Sequence, residues 1–172
     1  DRRQRQMCIR DRHTAMLLSI FSGIILTVIG VIGARQILIW MQTPSEVLEL
    51  AVLYLRIYFV GMTGTMIYNF GSALLRAVGD TKRPLYYLFG AGCVNIVLNL
   101  LFVICFHMDV AGVALATVIS EAISALLVLR CMIKEKGSIH LELRELHIYP
   151  DKFVQILKVG LPAGFQGIVF AL

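Results

Sequence analysis

Apolar residues in this chain come in long unbroken blocks rather than amphipathic stripes, and short polar breaks divide the blocks. The first block runs from Ala15 to Ala34 without a charge. As a helix it reaches about 30 Å, enough to cross a bilayer core. Gln42-Thr43-Pro44-Ser45-Glu46 then breaks the pattern, with Thr43 or Ser45 available to cap the next helix. The second block runs from Ile57 to Leu75, framed by Arg56 and Arg76. Gly79-Asp80-Thr81-Lys82-Arg83-Pro84 makes a compact turn, and Pro84 suits the first turn of a helix. A third block extends from Leu85 to Met108, Asp109 marks a very short hairpin, and the fourth block, Val110 to Leu129, carries one charge, Glu121. The pattern predicts spans over about 15–41, 51–77, 85–108 and 110–130 within a unit covering 13–130. The fold class expected is an all-α, polytopic transmembrane helix bundle.

From Cys131 to Lys158 the character changes, because Glu135, Lys136, Glu142, Arg144, Glu145, Asp151 and Lys152 make the stretch soluble. Phe153, Ile156 and Leu157 share one helical face within it, the pattern of an interfacial helix. Residues 131–158 therefore read as a linker. Residues 159–172, opening with Val159-Gly160-Leu161-Pro162, read as the start of another span too short to be completed, so the sequence is expected to be a piece of a longer protein. At the other end, Met7-Cys8-Ile9-Arg10-Asp11-Arg12 resembles the translation of a transposase sequencing adapter. Residues 1–12 are accordingly expected to be an artefact and are set aside in predicting the fold.

Composition agrees with the blocks. The chain is 58% hydrophobic and only 16% charged, with a mean hydropathy of +0.79, whereas a soluble domain is near a quarter charged. Cys93 and Cys105 lie inside apolar runs and Cys131 follows one, so they read as small buried hydrophobes. The net charge of +5 could suggest nucleic acid, but most basic residues flank apolar blocks, where they act as orientation signals; no nucleic-acid partner is expected. Arg76, Lys82 and Arg83 fall on one side, and Arg130, Lys134 and Lys136 emerge on that side two spans later. The expected topology is multi-pass in the inner (plasma) membrane, with the 78–84 turn and the 131–158 linker cytoplasmic. Arg35 and Arg56 are read as snorkelling anchors at the opposite interface.

The sequence carries no GxSxG, HExxH, Walker loop or GxGxxG, no metal cluster and no cofactor motif, and an enzyme is not expected. His13, His107, His140 and His147 are scattered along the chain. Candidate chemistry rests on polar groups inside the spans, which are costly there and face a cavity or a partner. Counting from the outer ends of their spans, Asn69 lies twelve residues in, Asn95 thirteen and Glu121 eleven, so the three fall near one level. Asn99 and Thr117 form a second layer nearer the outside; Asn95/Asn99 and Thr117/Glu121 are each i,i+4 pairs sharing a helix face. The expectation is a pocket of Asn69, Asn95, Asn99, Thr117 and Glu121 for a cation, a proton or a substrate amine. A carboxylate at bilayer depth suits a proton carrier, while asparagine and threonine can also simply join helices. Gly61, Gly64 and Gly71 on the second span, with Gly112, Ala116, Ser120 and Ser124 on the fourth, allow close helix approach or sliding.

Thr43-Pro44…Glu46-Val47-Leu48 followed by Ala51…Tyr54-Leu55-Arg56-Ile57 resembles the third-to-fourth helix junction of the multidrug and toxic compound extrusion (MATE) family. Tyr68-Asn69-Phe70…Leu75-Arg76-Ala77-Val78-Gly79-Asp80-Thr81-Lys82-Arg83-Pro84-Leu85 is similar to its stretch from the fourth helix into the fifth. Asn95-Ile96-Val97-Leu98-Asn99 and Gly112-Val113-Ala114-Leu115-Ala116-Thr117 resemble its fifth and sixth helices, and Gly160-Leu161-Pro162 the start of its seventh. The resemblance implies twelve helices in two six-helix lobes, of which this chain would supply helices three to six, the linker and the start of helix seven. It further implies alternating access driven by a proton or sodium gradient, exporting small organic, often cationic compounds. In members with a first-lobe cation site, an acidic residue of helix one works with polar residues of helices four to six, and Asn69, Asn95, Asn99 and Thr117 would sit at or near those positions. Asn99 stands where some members carry aspartate, and Glu121 could supply charge instead. Partners implied are the lipid bilayer, organic substrates, the coupling cation and the remainder of the polypeptide. Alternatives are a lipid-linked precursor or polysaccharide flippase of the same superfamily, or a non-transporting membrane scaffold subunit.

Overall fold

The structure, a computed structural model, describes residues 2–135, 141 and 147–171. Among the described residues it is all helical: α1 Arg2–Trp40, α2 Ser45–Val60, α3 Met62–Ala77, α4 Lys82–Leu100 continued by a π-turn over Leu101–Cys105, α5 Asp109–Lys134 and α6 Pro150–Ala171. Three apolar stretches, Asp11–Trp40, Lys82–Cys105 and Asp109–Lys134, are long enough to cross a membrane, and α2 with α3 makes a fourth span if the bent pair is one span. Side chains that a soluble protein would hide point outward: Ile32 and Trp40 are each 75% exposed, and Phe89 is 72% exposed. Facing lipid, that surface costs nothing.

Two elements differ from the expected pattern. The second span is two helices meeting at Gly61 with a bend of 44°. At the bend the Gly61 N–H donates to the Tyr58 carbonyl, three residues back, at 3.0 Å, so the turn tightens and the axis changes direction. α6 runs unbroken from Pro150 to Ala171, across the boundary expected between residues 158 and 159. Pro162 sits inside that helix, where its ring removes one intrahelical bond without ending the helix. α1 begins at Arg2 and so runs through the stretch set aside above, and Asp11 meets Lys152 Nζ of α6 at 3.0 Å.

α5 is the centre of the bundle. α2, α3 and α4 each pack along it, while α1 packs against α2 and α3 on the far side and α3 barely touches α4. Small residues set the close approaches. A Cβ on Gly71 would lie 2.3 Å from Val128 Cγ1, and one on Gly30 would lie 2.1 Å from the Phe59 ring, so each glycine admits a neighbouring helix. The apolar core gathers toward one end of the bundle: Met16, Leu75, Val128 and Met132, with Leu141 seated among them. The Leu141 N–H donates to the Met132 carbonyl at 3.0 Å, and the Tyr149 N–H to Thr14 Oγ1 at 3.2 Å, so these two residues lie against this end. Arg83 joins the α3–α4 turn to the end of α5 by pairing with both Asp80 and Glu135. At the opposite end Arg35, expected only to snorkel, pairs with Glu49 at 2.9 Å; both side chains are more than half exposed, so the pair adds little stability.

Candidate functional site

Three helices supply the polar groups at mid-bundle. On α4, Asn99 Nδ2 donates to Asn95 Oδ1 at 2.9 Å, the contact their i,i+4 spacing dictates. Asn95 Nδ2 then crosses to α5, donating to Thr117 Oγ1 at 3.4 Å and Ser120 Oγ at 3.2 Å. Both hydroxyls turn back onto α5, Thr117 to the Val113 carbonyl at 3.0 Å and Ser120 to the Thr117 carbonyl at 2.8 Å. Those protons are therefore committed, and the hydroxyl oxygens accept from Asn95. At the end of the chain of bonds, Asn99 Oδ1 is a buried acceptor with no hydrogen-bond partner. Such an oxygen invites a donor or a positive charge. The π-turn follows Asn99 by two residues, and turns of this kind recur at functional sites.

Glu121 is held separately. The bend at Gly61 aims α3 so that Thr65 Oγ1 donates to Glu121 Oε2 at 2.6 Å. At this length it is a short O–H···O bond. Two cavities flank the carboxylate. The larger, about 320 Å³, has Thr65, Asn69, Ser72 and Arg76 of α3 on one wall and Glu121 and Ser124 of α5 on the other. The smaller, about 270 Å³, lies toward α4, lined by Asn95, Thr117, Ser120 and Glu121 among others. Glu121, Ser124 and Leu88 border both.

Of the residues singled out from the sequence, Asn95, Asn99 and Thr117 form one hydrogen-bonded cluster, and Glu121 shares a cavity with Asn95 and Thr117. Asn69 stands apart from that cluster: its side chain is on the wall of the larger cavity with Glu121, and its carbonyl accepts from Ser72 Oγ at 3.0 Å. Sequence reading missed Thr65 and Arg76 as site residues and took Ser120 and Ser124 for residues of close helix approach or sliding. A helical stripe offered a signal for two of them, since Thr65, Asn69, Ser72 and Arg76 recur at i, i+4, i+7 and i+11.

The MatE family profile matches residues 3–101 of this sequence. The chain belongs to the MatE family. Among curated relatives, the probable multidrug resistance protein YpnP of Bacillus subtilis is 38% identical over 129 residues, covering 75% of this chain and 28% of the relative. The probable multidrug resistance protein NorM of Thermotoga maritima is 29% identical over 166 residues, covering 91% of this chain and 34% of the relative. The MatE chain thus spans about a third of the length of these relatives. A solved MATE structure in the bent conformation superposes with a TM-score of 0.84 at 25% identity, over 95% of this chain and 38% of that one. An inward-facing multidrug resistance MATE family transporter of the MOP superfamily gives 0.77 at 26% identity, over 86% and 34%. The MatE chain is thus a multi-pass membrane protein of a transporter family, with the all-α fold expected.

Proposed function

We propose that this MatE chain is part of the first lobe of a cation-coupled antiporter that exports organic, often cationic compounds by alternating access across the plasma membrane. One observation carries the reading: Glu121, the one charge between Val110 and Leu129, is fixed by Thr65 between two cavities, with the unpartnered Asn99 Oδ1 in the adjoining cluster. The two features divide the work. Glu121 carries the coupling proton, and Asn99 Oδ1 accepts an N–H from the amine of a substrate, held by Asn95 and Thr117. Carriage of a proton at bilayer depth needs a group that is neutral in one state and charged in the other, which among the five candidate residues only the carboxylate can supply.

The orientation follows from the end of the bundle where Arg76, Lys82, Arg83, Arg130 and Lys134 collect; in this reading that end is cytoplasmic, and the linker with it. Relatives described as multidrug resistance proteins support the substrate class. A flippase for lipid-linked precursors would need cationic walls for its phosphates, whereas Arg76 is the sole arginine bordering these two cavities. In everted vesicles bearing the full-length protein, Glu121→Gln and Asn95→Ala are expected to abolish dye efflux driven by a proton gradient while leaving membrane expression unchanged. Efflux at the parent rate in Glu121→Gln would remove the carboxylate from the mechanism, and efflux driven by sodium alone would replace the proton.

A further inference from the structure

The stripe Thr65, Asn69, Ser72, Arg76 runs about 16 Å along α3, from the carboxylate to the turn at Gly79. Glu121 and Ser124 of α5 face it across the larger cavity. At one end Thr65 Oγ1 holds Glu121 Oε2 at 2.6 Å, and at the other Arg76 Nη2 donates to Ser72 Oγ at 3.3 Å. α3 and α4 both lean on α5 and scarcely on each other, and the larger cavity lies where they part, bordered by Leu88 of α4 as well as by the stripe. We propose that this stripe is a water-filled route through which Glu121 exchanges protons with the cytoplasm, and that Arg76 at its mouth closes the route to organic cations. The inference rests on the orientation and on the role given to Glu121 above, and it separates the proton's path from the substrate's.

The chemistry is a proton transfer. The Glu121 carboxyl gives its proton to a water, leaving a carboxylate that keeps the Thr65 hydroxyl and a hydronium that passes the charge outward; loading is the reverse. A proton crosses the mouth by rearranging bonds, or is met there by hydroxide or a buffer anion, which the guanidinium attracts. An organic cation must instead bring its whole body and charge past Arg76. Other groups near the carboxylate are few: Tyr58 of α2 is within electrostatic reach of Glu121. Tyr68 of α3 borders the larger cavity and donates its hydroxyl to the Pro84 carbonyl at 2.9 Å. α4 presents Leu88 and Asn95, neither of them ionisable.

The test uses the full-length transporter with its native cysteines replaced by serine, carrying Asn69→Cys or Ser72→Cys. Each is treated with anionic methanethiosulfonate ethylsulfonate and with cationic methanethiosulfonate ethyltrimethylammonium, every rate being divided by that of a free thiol. Both sites are expected to react in everted vesicles and not in right-side-out cells, with the anionic reagent faster by on the order of tenfold. Arg76→Gln should abolish that preference and Arg76→Lys should keep it. Leu126→Cys, on the outward face of α5 at 64% exposure, should stay unlabelled in lipid. Equal rates for the two reagents, labelling from the opposite side alone, or no labelling at either site would overturn the route. If the route fails while efflux still depends on Glu121, the role of the carboxylate stands without it. If charge-selective labelling appears in a protein whose efflux ignores Glu121→Gln, the route exists but carries no coupling proton.

Discussion

Thr65 shows how a site residue's partner stays hidden in one dimension, even where a polar stripe marks its face. A threonine in an apolar run reads as a helix-packing hydroxyl, and only the bend at Gly61 turns it toward Glu121, 56 residues away in the chain. Removing the hydroxyl while keeping the shape, Thr65→Val, leaves the carboxylate without its donor at a cost of about 1.5–3 kcal/mol in the ionised state. The expected result is loss of most proton-driven efflux in Thr65→Val and retention in Thr65→Ser, measured at matched expression. Asn95 and Asn99 were legible because a helix brings i and i+4 side chains together whatever surrounds it, and the 2.9 Å bond between them follows from spacing alone. The cross-helix bonds from Asn95 to Thr117 and Ser120 depend on how α4 rotates about α5, which depth counting does not fix. Asn69 makes the same point in reverse: its depth matched, yet its face of α3 looks into the larger cavity rather than toward Asn95.

At the scale of elements, α1, α4 and α5 lie over three of the continuous apolar blocks, and burial in lipid tolerates few charges within such blocks. The break between α2 and α3 was hidden because Gly61 lies within an apolar run, with no polar interruption to mark the tightened turn there. Glycines at the crossings carry the tight contacts, and their replacement has a predictable sign. Gly71→Leu would push a side chain into Val128, which a Cβ alone already overlaps at 2.3 Å. Overpacking of this kind costs about 1–3 kcal/mol, so the detergent-solubilised full-length protein should melt several degrees lower than the parent. Glu135→Ala breaks a partly exposed ion pair with Arg83, of the solvated kind that contributes little, and should leave the melting temperature nearly unmoved.

For the whole molecule, the two ends of the bundle differ in charge and in packing. One end gathers the basic residues, the Arg83 pairs, the Met16–Leu75–Val128–Met132 core and the docked Leu141. The other ends in short turns, where Gln42, His107 and Asp109 take positive φ. Charge asymmetry was readable from the sequence, since it needs only loop composition. The seating of Leu141 was not, because it depends on a single contact with Met132. Between the ends lies the Glu121 carboxylate, to which the proposed coupling is assigned. Its role is tested most directly with the full-length protein in liposomes loaded with a pH-sensitive dye, recording proton movement when substrate is added outside. The parent protein is expected to move protons in step with substrate, and Glu121→Gln to move none. Equal proton flux in the two proteins would contradict the account.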